Sequence, residues 1–239
     1  MSRLLTLILF AVVIITTSVN AQTQTDQGLS NKYQAIVRIA AVTAKGDLSK
    51  LKTELVAGLE AGLTVNQIKE AIVHLYAYSG FPRSIRGLQT FMSVLDERKA
   101  RGINDIIGAE ASPVNDERSK YDRGKAILAK LTGVPEMGPK TGYSAFAPQI
   151  EIFLKEHLFA DIFERDVLTY AERELATVSV LSSIGGVEPM LQSHLRICLN
   201  LGLTPQQLHQ FVGLIKETIG KKEAKAVQKV LDEILNNKK

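Results

Sequence analysis

Cysteine occurs once in the 239 residues, as Cys198, and tryptophan does not occur at all. A single thiol excludes an internal disulfide, a CxxC redox centre and a self-contained two-cysteine peroxidase. Within the apolar run 195-LRICL-199, Cys198 reads as a small buried hydrophobe. Aromatic residues are only 6% of the chain, so the core rests on Leu, Ile, Val and Ala, which favours helix packing over a sandwich. No GxGxxG, Walker loop, nucleophile elbow or HExxH is present. Four histidines without acids at metal-ligand spacing give no structural zinc site, and no metal or organic cofactor is expected. The net charge of +4 is mixed rather than striped, as in 116-DERSKYDRGK-125, which argues against nucleic acid as a partner.

The first residues do not belong to the fold argument. Arg3 precedes an apolar run from Leu4 to Ile15, and Val19-Asn20-Ala21 fits a small-residue cleavage site. The run is shorter than the roughly 20 apolar residues of a membrane span. Residues 1–21 are therefore expected to be a signal peptide, with an uncleaved anchor as the alternative. The mature protein would be periplasmic or secreted and free of the membrane.

What the chain does have is an internal repeat. Gly46, Leu51, Leu55, Leu59, Gly62-Leu63-Thr64 and Gln67 return 140 positions later as Gly186, Leu191, Leu195, Leu199, Gly202-Leu203-Thr204 and Gln207. The domain scheme is a first repeat at 29–102, a helical connecting segment at 103–168 and a second repeat at 169–236. Apolar spacing and punctuation predict helix–turn–helix–turn–helix in each copy, followed by a longer helix at 84–100 or 222–236. Thr64 with Gln67, Thr169 with Glu172 and Thr204 with Gln207 are capping boxes in sequence. Gly80-Phe81-Pro82 is expected to end the third helix. In the connecting segment, helices are expected over 116–131 and 148–159. Its many apolar residues, Phe146 and Phe153 among them, suggest packing against both repeats, a pocket or a subunit contact. The fold class is all-α with a duplicated helical repeat.

Differences between the copies locate candidate chemistry. Glu70, His74 and Tyr78 fall at helical spacing in the first copy and become Gln210, Leu214 and Thr218 in the second. Conversely, Gln34 becomes Glu174 and Glu54 becomes His194. Each set pairs a carboxylate with an imidazole, the natural proton carrier near neutral pH. Ordinary core or surface roles remain open for every one of these residues. Convergence of the two sets on one cavity is the expectation that a structure tests. Arg83 and Arg86 follow Pro82 and are candidates for holding a substrate carboxylate.

The segments 29-LSNKYQAIVRIAAVTAKGD-47, 61-AGLTVNQIKEAIVHLYAYSGFPRS-84, 172-ERELATVSVLSS-183 and 193-SHLRICLNLGLTPQQL-208 resemble the carboxymuconolactone decarboxylase family, which includes the alkylhydroperoxidase D type proteins. The resemblance implies an all-helical, alkylhydroperoxidase D-like shell assembled as a homo-oligomer, here a dimer or trimer of tandem chains. It implies peroxidase chemistry where a CxxC pair is present, yet 185-GGVEP-189, where that pair would fall, has no cysteine. It also implies cofactor-free decarboxylation of a small carboxylated lactone. On that pattern His194 with Glu174 moves the proton, His74 with Glu70 and Tyr78 supplies a second acid or donor, and Arg83, Arg86 and Phe81 contact the substrate. The alternatives are a non-catalytic oligomeric binding protein and a peroxidase using Cys198 with an external thiol.

Overall fold

The computed structural model describes residues 28–236, so the expected signal segment lies outside the described residues. The chain is all-α, with two similar helical halves. The first half comprises α1 (Asn31–Lys45), α2 (Leu48–Glu60), α3 (Val65–His74) and α4 (Tyr76–Ala100). The second comprises α8 (Tyr170–Ile184), α9 (Glu188–Asn200), α10 (Pro205–Thr218) and α11 (Lys221–Asn236). Between them lie α5 (Lys120–Thr132), the short α6 (Gly142–Phe146) and α7 (Pro148–Phe153), and a wide-turned π segment, π1 (Leu154–Ile162).

Local chemistry places the ends of these helices. All three capping boxes form, at Thr64, Thr169 and Thr204, each giving the exposed N-terminal amides of a helix a partner. Asp47 caps α2, and Gly46 closes α1 in the left-handed conformation. Packing then joins the halves through their first helices. α1, with Ile36, Val37, Ile39, Ala40 and Ala41 all buried, packs along α8, whose residues Glu172–Ser183 are all buried. Such burial of a helix rich in hydroxyls is affordable because Thr177, Ser179, Ser182 and Ser183 each donate to the carbonyl four residues back.

Three boundaries differ from the sequence reading. The third helix does not run to Tyr78: it closes at His74, Leu75 makes a turn, and Gly80 (φ 78°, ψ 160°) breaks the helical path again. α5 starts at Lys120 rather than Asp116, because Asp116 is engaged with the amide and guanidinium of Arg118 and Ser119 provides the cap. The helix from Pro148 widens into π1, against which α5 packs at Gly124. A Cβ on Gly124 would sit 1.8 Å from the Lys155 carbonyl oxygen.

The connecting segment contacts both halves. Ile127, Leu131, Leu158, Phe159, Ile162 and Phe163 form a second apolar cluster with Ile197 of α9, and Tyr76 and Tyr78 of α4 pack on it. Residues 106–110 wrap the start of α3, where Ile106 and Ile107 accept from the Val65 and Asn66 amides. Phe146 takes no part in this packing and is 92% exposed. Among the described residues, no helix is long and apolar enough to cross a membrane.

Candidate functional site

The site lies where α3, α4, α8 and α9 meet. Arg173 and Glu174 stand near the start of α8 and Thr177 at its middle, His194 and Cys198 lie one turn apart on α9, His74 ends α3, and Tyr78 lies in the first turn of α4. Glu174 is fully buried, and its Oε2 meets His194 Nδ1 at 2.7 Å. Its Oε1 is buried with no protein partner. The His194 side chain is 14% exposed, so the imidazole is not sealed from solvent.

The Tyr78 ring joins the two polar sets. Its centroid lies 5.9 Å from that of His194 in an edge-on contact and 5.5 Å from that of His74. Its hydroxyl is buried beside Thr177 without a well-formed hydrogen bond. Burial, and then the charge of Glu174, push the phenol pKa far up, so it stays protonated.

Behind Tyr78 lies a buried polar network. His74 has no exposed surface; Nε2 is 2.8 Å from Thr177 Oγ1, and Nδ1 is 3.5 Å from the Arg173 guanidinium. Burial, the Arg173 charge and His194 hold its pKa well below the usual imidazole value. Glu70 accepts from Arg173 at 2.7 Å and from Arg165 at 2.9 Å. Burial favours its neutral acid, but the two guanidinium partners outweigh this and lower its pKa. Arg173, the largest fully buried side chain, is itself made less basic by burial, against the pull of Glu70.

The remaining candidates separate. Arg83 is exposed with its guanidinium over the Gly46 backbone, so close that a Cβ there would lie 1.5 Å from Nη1. It lines an open pocket of about 440 Å³ with Lys45, Tyr78, Ser79, Ser183 and Ile184. Lys45 is paired with Glu223 at 2.9 Å. Arg86 donates to Gln89 at 2.7 Å and does not line this pocket. Phe81 stacks on Tyr76 at 4.5 Å and faces a different, apolar groove of about 470 Å³ with Ile150, Phe153 and His157. Cys198 is fully buried, and burial followed by the Glu174 charge raises its pKa well above that of a free thiol, the opposite of an activated nucleophile.

The structure therefore brings Glu70, His74, Tyr78, Glu174 and His194 into one cluster, sets Arg83 at an adjoining pocket, and leaves Arg86 and Phe81 outside it. Sequence reasoning missed Arg173, Thr177 and Arg165. A signal for the first was present: Arg173 stands where the first copy has Tyr33, immediately before the Gln34-to-Glu174 exchange. Among the described residues, no three His, Cys, Asp or Glu side chains converge to hold a metal ion.

The chain is similar to the 4-carboxymuconolactone decarboxylase of Acinetobacter baylyi, with 26% identity over 100 residues covering 41% of this chain and 73% of the relative. The model of the carboxymuconolactone decarboxylase family matches residues 14–91 and 148–233, most of the chain and parts of both halves. The chain belongs to the carboxymuconolactone decarboxylase family.

Proposed function

We propose that this protein is a cofactor-free lyase or isomerase acting on a small carboxylated lactone or a related unsaturated acid. The observation that carries the reading is the pairing of buried Glu174 with partly exposed His194, with Tyr78 reaching from that imidazole to the pocket that holds Arg83. A buried carboxylate on Nδ1 fixes the ring orientation, leaving Nε2 to exchange a proton with substrate.

In this reading Arg83 binds a substrate carboxylate at the pocket. Breakage of the bond from ring carbon to a second carboxylate releases carbon dioxide. The electron pair left behind spreads through the unsaturated system onto the lactone carbonyl oxygen, where the Tyr78 hydroxyl stabilises it by donation. His194, having taken a proton from solvent, then delivers it to carbon, completing the shift of the double bond. His74 has both ring nitrogens engaged inside the protein, so the donor role expected for it passes to Tyr78. Activity in the periplasm or outside the cell, in a homo-oligomer, is part of the same proposal and rests on the sequence pattern alone.

The test is turnover of purified protein on a panel of unsaturated lactone acids, followed by carbon dioxide release and loss of ultraviolet absorbance. The reading expects at least one substrate whose turnover collapses in His194→Ala. Unchanged turnover in that variant removes His194 from the mechanism, and no turnover on any lactone acid removes the reaction class.

A further inference from the structure

We infer that Arg173 is a positioning residue: it fixes His74 as the neutral tautomer protonated on Nε2 and, by drawing the Thr177 proton to its own carbonyl, leaves the neighbouring Tyr78 phenol as a hydrogen-bond donor only. The second part rests on the function proposed above; the first stands on geometry alone.

Two independent constraints give the same proton positions. A guanidinium has only donors, so the 3.5 Å contact between Arg173 Nη1 and His74 Nδ1 requires Nδ1 to carry a lone pair. On the other side, the single Thr177 proton goes to the Arg173 carbonyl oxygen at 3.0 Å. The Thr177 oxygen, 2.8 Å from His74 Nε2, must then accept, and Nε2 must carry the hydrogen. The chain runs one way, from Arg173 to His74 to Thr177 and back to the Arg173 backbone.

The surroundings of His74 oppose a second proton on it. Arg173 faces it from α8, His194 from α9, Tyr78 from α4 and the edge of Phe163 from beyond π1. Glu70, one turn earlier on α3, has its charge committed to Arg165 and Arg173. Burial, Arg173 and His194 act in the same direction on the imidazole. Thr177, with its proton spent, has none to give the neighbouring Tyr78 hydroxyl, which makes no hydrogen bond within the protein. That hydroxyl therefore keeps its proton and offers it to a bound oxyanion, and His74 takes no part in proton exchange.

The experiment is side-chain ¹⁵N NMR of the labelled full chain over about pH 5 to 8, the range in which an ordinary histidine titrates. The His157→Gln, His194→Gln and His209→Gln variants assign three of the four histidine signals, and His74 is the fourth. The expected His74 signature is constant across the range, with a pyridine-type Nδ1 and a pyrrole-type Nε2. A His74 that titrates, or that carries its proton on Nδ1, overturns the inference. Arg173→Met should weaken the tautomer preference, which the Thr177 contact then holds alone, while Arg173→Lys, which keeps a donor, should restore it in part. A signature unchanged in Arg173→Met overturns the role of Arg173. If Arg173→Met does not fold, the same comparison is made in the charge-balanced Glu70→Gln/Arg173→Met pair. Where a substrate has been found, Arg173→Lys should lower kcat about tenfold with KM nearly constant, the mark of lost transition-state alignment. Absence of all turnover sinks the proposed function and leaves the NMR result to decide the tautomer separately.

Discussion

Glu174 and His194 meet at 2.7 Å across the hairpin of α8 and α9, and their counterparts in the first half are Gln34 and Glu54. One half has thus kept the helical scaffold without the couple, while the other has buried a carboxylate to hold an imidazole. A fully buried carboxylate with one oxygen unpartnered is costly, which a purely structural role does not readily explain.

The couple predicts graded losses. His194→Ala should lower kcat by about 10²–10⁴, the usual worth of a positioned acid–base group. Glu174→Gln should cost less, about tenfold to a hundredfold, because the imidazole remains but loses its orienting charge. Steady-state kinetics on a substrate of the wild-type protein measures both. Equal effects of the two variants would argue that Glu174 does more than orient.

Tyr78→Phe separates activity from stability. Its hydroxyl is buried without a good partner, so removing it relieves a desolvation cost of about 1–3 kcal/mol or leaves stability unchanged. Turnover should nevertheless fall, by about tenfold or more, if the phenol stabilises a developing oxyanion. Thermal unfolding and kcat measured on one preparation check the pair of signs. A lower Tm with unchanged kcat would give Tyr78 a packing role only.

Glu70 should govern acid stability rather than chemistry. Its folded pKa is lowered, so its contribution to stability is complete above the unfolded value, near 4.3, and is lost as pH falls through the folded value. Glu70→Ala leaves Arg173 buried without its carboxylate and should cost about 3–5 kcal/mol at pH 7. Replacing both, as Glu70→Leu with Arg173→Met, should recover most of that loss. Urea unfolding at pH 7 and pH 3 reads each case, and wild type should lose more stability between those pH values than Glu70→Gln.

These relationships were unequally legible in the sequence. Caps and glycine punctuation act within a few residues, so the capping boxes at Thr64, Thr169 and Thr204 could be read directly. Glu174 and His194 showed as departures of one copy from the other. Arg173 departs from Tyr33 as well, but an arginine in a charged run looks solvated until Glu70, from the other half, is packed against it. The turn at Leu75 depends on tertiary packing, and an apolar pattern alone continued α3 through it. Phe146 belongs to an apolar set that allows packing on the repeats, a pocket or a subunit contact, and its short helix leaves it exposed in the single chain.

Cys198 tests the remaining oxidative reading. Peroxide chemistry requires a thiolate that meets solvent, whereas this thiol is fully buried and its ionisation is opposed by burial and by Glu174. A disulfide-exchange reagent such as DTNB should therefore label the native protein only as fast as the surrounding helices open, and release one equivalent promptly in denaturant. Cys198→Ala should cost about 1–2 kcal/mol from the small cavity between α8 and α9, with lactone-acid turnover unaffected. Rapid labelling of the native chain, together with peroxide consumption lost in Cys198→Ala, would require α9 to expose this thiol and would restore the redox reading.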